Sequence, residues 1–78
     1  MNAKHWAKVA YAKLGKTIYG KQAIILADDK QSIKITKAGT GVLAKALANS
    51  PECVVGIYDI NASQADIYDD LIAAGMAA

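Results

Sequence analysis

The sequence predicts a small single α+β domain in the order helix, hairpin, helix, strand, helix, with a three-stranded mixed sheet that contains one βαβ unit and carries the helices on it. Three observations predict it. Apolar residues recur at helical spacing in three separate stretches, Ser32-Ile33-Lys34-Ile35-Thr36 alternates with period two, and residues 53–60 form a near-continuous apolar run. At 78 residues, of which 54% are hydrophobic and 21% charged, residues 1–78 make one domain with room for one thin core.

On a helical wheel Ala3, Trp6, Ala7, Ala10 and Leu14 share one arc, and Lys4, His5, Lys8 and Tyr11 lie opposite, so residues 2–14 read as an amphipathic helix. Gly15 stands where a helix C-terminus favours glycine, and the alanine-rich stripe allows close approach to another backbone. Thr17-Ile18-Tyr19 reads as a short additional strand. Residues 22–27 and 32–36 form a hairpin across Asp28-Asp29-Lys30-Gln31, burying Ile33 and Ile35 and placing Ser32, Lys34 and Thr36 on the other face.

Leu43, Ala46 and Leu47 give residues 40–49 one apolar side, and the helix stops at Asn49-Ser50-Pro51. The run from Cys53 to Ile60 reads as a strand covered on both faces. Two overlapping signals start the last helix, Asn61 with Gln64 and Ser63 with Asp66, and its expected inner face is Gln64, Ile67, Tyr68, Leu71, Ile72 and Gly75. Strand 32–36, helix 40–49 and strand 53–59 then make a parallel, right-handed βαβ unit, with strand 22–27 antiparallel at one side.

Charge is sorted along the chain. Residues 1–27 hold five lysines and no acid, residues 28–45 hold four lysines and two aspartates, and residues 46–78 hold five acids and no base, giving a net charge of +2. All nine cations are lysines. Cys53 is the one cysteine, which rules out an internal disulfide and favours a cytoplasmic setting over secretion. No apolar stretch is long enough to span a membrane, so no membrane partner is expected.

Gly39-x-Gly41-x-x-Ala44, between an expected strand and helix and twenty residues ahead of Asp59, resembles the dinucleotide-binding fingerprint of Rossmann enzymes. Ala-Gly-Thr-Gly-Val-Leu-Ala at 38–44 also looks like the nucleotide loop of class I methyltransferases. The resemblance implies glycines that let backbone approach a nucleotide and an Asp59 carboxylate that accepts from ribose hydroxyls. It covers only residues 32–61, and Lys34 and Thr36 interrupt the apolar first strand of those families. Gly15-Lys16-Thr17 looks like the end of a phosphate-binding loop, but Ala10 stands where that motif needs its first glycine.

The other chemically capable residues read as structural. His5 has no cysteine or carboxylate three or four residues away, Cys53 lacks a neighbouring base, and Asp28-Asp29 suits a turn. Asp66, Asp69 and Asp70 read as an exposed helix face. No paired acid and base supports catalysis, and no cofactor or metal is expected.

The lysines are the remaining candidates. Lys4 and Lys8 sit early in their helix, where the macrodipole disfavours cations by about 0.3–1 kcal/mol each, so helix stability does not account for them. Lys4, Lys8, Tyr11, Lys21 and Lys34 are the expected partner-binding residues, suited to a nucleic acid read without sequence preference or to an acidic protein surface. The expected function is a small non-enzymatic binding protein of the regulator or inhibitor type, as phage and mobile-element accessory chains often are. One alternative is a dimeric or self-assembling protein in which basic N-terminal and acidic C-terminal surfaces meet. A second is a nucleotide-binding half-domain using Gly39, Gly41 and Asp59.

Overall fold

The Asn2 side chain caps the first helix: its Oδ1 accepts the His5 N–H at 3.0 Å, satisfying one of the donors a helix start leaves without a partner. The computed structural model describes residues 2–15 and 20–78. Helix α1 is Ala3–Gly15, α2 is Gly41–Asn49 and α3 is Gln64–Ala73; strands β1, β2 and β3 are Gln22–Leu26, Ile33–Lys37 and Val54–Tyr58. One 3₁₀ turn, Pro51–Cys53, leads into β3. The additional strand expected at Thr17-Ile18-Tyr19 lies outside the described residues.

The expected hairpin forms, with Ala23 opposite Thr36 and Leu26 opposite Ile33. Its turn is held by Lys30 N–H to the Ala27 carbonyl at 2.8 Å and by Asp29 Oδ1, which accepts the Gln31 N–H at 3.0 Å. The Trp6 indole N–H donates to the Gln31 carbonyl at 2.9 Å, tying α1 to this turn.

The sheet differs from expectation. Strand order is β2-β1-β3, and β1 is antiparallel to both neighbours, so the sheet is wholly antiparallel and not mixed. Strands β2 and β3 run in the same direction across α2 but do not pair, because β1 lies between them. The lysines of β2 explain this, since Lys34 and Lys37 discourage a further strand from pairing along it. Ala23, Ile24 and Leu26 are buried, whereas no residue of β2 or β3 is fully buried and Ile57 of β3 is half exposed at 51%. The charge-free β1 takes the centre, and the apolar run at 53–60 becomes an edge with a bulge between the partners of Ile24 and Ile25.

Helices α1 and α3 pack together over one face of the sheet. The core there is Ala3, Ala7, Ala10 and Leu14 from α1, Ile24 and Leu26 from β1, and Ile67, Leu71 and Met76 from α3 and its exit. The expected α1 stripe is therefore the buried one, with Trp6 half-buried beside it. Along the expected inner face Ile67 and Leu71 are buried and Tyr68 half-buried, but Gln64, Ile72 and Gly75 are exposed. Of the two start signals, Ser63 is the cap, its Oγ accepting the Asp66 N–H at 3.0 Å. Helix α2 lies on the opposite face, where it buries Leu43 and where Ala23 is also buried.

Helix α3 ends in a Schellman arrangement. The Gly75 N–H bonds the Ile72 carbonyl and the Met76 N–H bonds the Leu71 carbonyl, both at 3.0 Å, with Gly75 at φ +108. This turns Met76 back into the core beside Leu71, and the Ala77 carbonyl then accepts the Ala3 N–H at 2.7 Å.

Gly56 is fixed by contact. A Cβ there would sit 2.7 Å from the Tyr58 hydroxyl oxygen and 2.9 Å from its Cζ, since the Tyr58 ring folds back over the Gly56 backbone. That hydroxyl donates to Asp70 Oδ2 of α3 at 2.6 Å. Gly56→Ala is expected to displace the ring, break this bond and destabilise the fold by about 1–2 kcal/mol. Urea unfolding measures it, and a loss no larger in Gly56→Ala than in Gly56→Ala/Tyr58→Ala relative to Tyr58→Ala alone would show the ring contact to be irrelevant.

Candidate functional site

The fold separates the lysines that the sequence groups together. Lys4, Lys8 and Tyr11 project from the exposed side of α1, at spacings of four and three that align them on one helix face. Lys34 is on the opposite face of the sheet, because Ile33 and Ile35 point toward the α1–α3 core and Lys34 alternates away from them. Lys21 stands at the start of β1 beside Asp59, Asp66 and Asp70. One continuous basic face through all five residues does not form.

Lys4 also has an acidic neighbour. Lys4 lines a shallow apolar depression between α1 and α3 together with Ala7, Tyr68 and Asp69. Packing the basic first helix against the acidic last one thus brings opposite charges of the sequence into one neighbourhood.

The other sheet face carries a groove that sequence reasoning missed. It runs between α2 and the β1–β2 hairpin, with Ile25, Val42 and Ala46 as apolar lining and Lys34 and Lys45 among its walls. Lys34 is placed there by the β2 alternation, across from Ile25 in the ladder. Lys45 and Val42 are placed by α2, which Thr40 starts: its hydroxyl donates to the Lys37 carbonyl at 2.9 Å and lies 3.2 Å from the Thr36 hydroxyl. The signal was present in α2. Its nine residues are apolar nearly all round, with Lys45 as the one charge, yet only Leu43 is buried, leaving Val42 and Leu47 about half exposed.

A second, acidic hollow is lined by Tyr58, Asp59, Asp66 and Asp70, with Lys21 facing them. Burial, and next the hydrogen bond to Asp70 with its charge and that of Asp66, raise the Tyr58 phenol well above its ordinary value near 10. A folded-state value above the unfolded one favours the folded chain while the phenol is protonated. Its contribution is full below pH 10 and falls as pH rises beyond that. The natural chain is expected to lose stability between about pH 10 and 11.5 more steeply than Tyr58→Phe, as read by urea midpoints. Parallel slopes would refute this.

The glycine motif does not build a nucleotide crevice of the Rossmann type. Gly39 and Gly41 turn the chain from β2 into α2, while Asp59 follows β3, and the intervening β1 separates the two strands by about two interstrand spacings, roughly 10 Å. The hollow at Asp59 includes neither glycine. His5 is exposed, with its ring edge-to-face on Trp6 at 5.0 Å, and Cys53 is a half-buried free thiol packed against the core. Among the described residues, no group of three or more His, Cys, Asp or Glu side chains is placed to hold a metal ion, and no helix is long and apolar enough to cross a membrane.

Compared with protein-family models, with curated proteins and with solved structures, the chain has no match in any of the three.

Proposed function

We propose that this chain is a small non-enzymatic binding protein, of the regulator or inhibitor type, whose α2 face docks on an acidic protein surface. The observation that carries this reading is the groove with Ile25, Val42 and Ala46 in its lining and Lys34 and Lys45 on its walls. An apolar strip flanked by ammonium groups matches a partner segment that presents apolar side chains between carboxylates. A nucleic acid fits less well. Among the described residues no tyrosine or tryptophan lines the groove to stack a base, and its apolar strip offers nothing to a phosphate backbone.

The test is a titration followed by backbone amide shifts, with two probes: a short amphipathic peptide rich in glutamate and leucine, and a single-stranded oligonucleotide. The peptide should move the amides of Ile25, Lys34, Val42 and Lys45. Reversing both walls in Lys34→Glu/Lys45→Glu should weaken it by about ten- to a hundredfold, whereas Lys4→Glu/Lys8→Glu should change it less than about threefold. Shifts caused by the oligonucleotide alone, fading steeply between about 50 and 200 mM salt, would replace the acidic protein by a nucleic acid as partner. No response at the groove to either probe would sink the reading.

A further inference from the structure

The two edges of the sheet are protected differently. Edge β2 carries Lys34 and Lys37, and charge of this kind discourages a further strand from pairing. Edge β3, Val54-Val55-Gly56-Ile57-Tyr58, carries no charge and no proline. Its open side can be located by register. Ala27 N–H bonds the Ser32 carbonyl and Ala38 N–H bonds the Lys21 carbonyl, so odd-numbered backbone groups along β1 point toward β2 and even-numbered ones toward β3. The β3 partners of Gln22 and Ile24 are Tyr58 and Gly56. The N–H and carbonyl of Ile57 between them therefore point away from the sheet, and the Ile57 side chain is 51% exposed.

We infer that β3 is the interface of a two-fold dimer, in which the β3 strands of two copies pair antiparallel about Ile57 and join the sheets into one of six strands. An antiparallel edge is complementary to itself, and Ile57 of each copy then exchanges both backbone hydrogen bonds with Ile57 of the other. Charge selects this edge for a second copy. The same operation at β2, about Ile35, would bring the Lys34 side chains of two copies onto one face about 7 Å apart along the strands, whereas at β3 the nearest charges, the Asp59 pair, stand opposite Val55 of the other copy, about 13 Å apart along the strands and beyond a Debye length. The strand is also held in place beforehand, by its ladder with β1 and by the Tyr58 to Asp70 bond to α3. This interface is separate from the α2 groove and stands whether or not that groove binds a partner.

The test is sedimentation velocity with the full chain from about 10 µM to 1 mM, since dimerisation must follow mass action. The mass should rise from 8.2 kDa toward twice that value in the natural chain. Ile57→Lys, which sets two like charges across the two-fold, should stay at 8.2 kDa at every concentration while keeping the circular dichroism of the natural chain. As a second readout that needs no variant, the Ile57 amide should exchange with deuterium more slowly as concentration rises. A natural chain that remains at 8.2 kDa throughout overturns the inference and leaves the edge to a strand from another protein. A dimer that persists in Ile57→Lys, with Ile57 exchange independent of concentration, overturns it too, since the copies then meet elsewhere.

Discussion

Leu71→Ala is expected to remove about 3–4 kcal/mol of folding stability, an effect large enough to leave part of the population unfolded at 37 °C. The residue is fully buried, in one cluster with Leu14, Ile24, Ile67 and Met76, and a 78-residue chain cannot rearrange many neighbours to refill the space. Truncating a buried leucine costs the transfer term of the lost carbons and a further term for the cavity, together about 2–5 kcal/mol. A domain this size has about 4–12 kcal/mol in total, so the one change takes a large fraction of it. Leu71 also carries the carbonyl that receives the Met76 N–H, and its side chain meets Met76 across the helix end. The two truncations should therefore not add: Leu71→Ala with Met76→Ala should cost at least about 0.5 kcal/mol less than the sum of the singles. Urea unfolding of the four proteins measures both quantities. A loss under about 1 kcal/mol for Leu71→Ala would mean that the α3 seam is not the centre of the core.

Ala10→Leu is expected to destabilise by about 2–3 kcal/mol, although leucine is as good a helix former as most residues and more apolar than alanine. Three added carbons would contribute about 2.4 kcal/mol if they could be buried without displacement. Ala10 is fully buried in the cluster formed by α1, α3 and the sheet, so the larger side chain can enter only by pushing the helices apart. The loss of contact along the rest of the seam exceeds the gain. Ala12→Leu on the exposed side of the same helix is the control and should stay within about 0.5 kcal/mol of the natural chain. Equal thermal midpoints for the two variants would show that the alanine stripe does not set the distance between α1 and α3.

Local patterns were legible to the degree that they depend on neighbours in sequence. The α1 stripe, the hairpin across Asp28-Asp29-Lys30-Gln31 and the Ser63 cap each rest on contacts within a few residues, and each forms where the pattern placed it. Which strand occupies the middle of the sheet is decided by long-range burial. The run at 53–60 looked doubly covered because it is apolar, but Gly56 and the ring of Tyr58 supply cover from within the strand, and Ile57 and Ile60 stay exposed at 51% and 59%. The candidate site divided in the same way. Lys34 was read correctly as facing away from Ile33 and Ile35, yet its neighbour Lys45 was not among the expected partner-binding residues. Joining Lys34 to Lys4 and Lys8 failed because the sheet itself stands between them.

The sorted charge has a structural outcome in the packing of the first and last helices. Asp69 of α3 and Lys4 of α1 border one depression, and Lys21 stands at the acidic hollow, so the basic and acidic ends partly neutralise each other within one subunit. The lysines of the α2 groove have Asp28 as the one carboxylate among the groove's lining residues. Salt should therefore affect partner binding at that groove more than it affects folding.

The bond from the Ala3 N–H to the Ala77 carbonyl places the two ends of the described chain side by side. A few glycines between residues 78 and 2 would close the polypeptide into a ring without disturbing a packed residue, and the loop so formed is short enough to add little entropic cost. Reopened at the exposed Asp28-Asp29 turn, the same ring would be synthesised as strand, helix, strand, helix, helix, strand. In that order α3 and α1 become consecutive, and the central strand arrives last, between two edges already joined by α2. If such a permutant folds, the architecture is a property of the closed circuit, and the point at which it is cut is incidental to it.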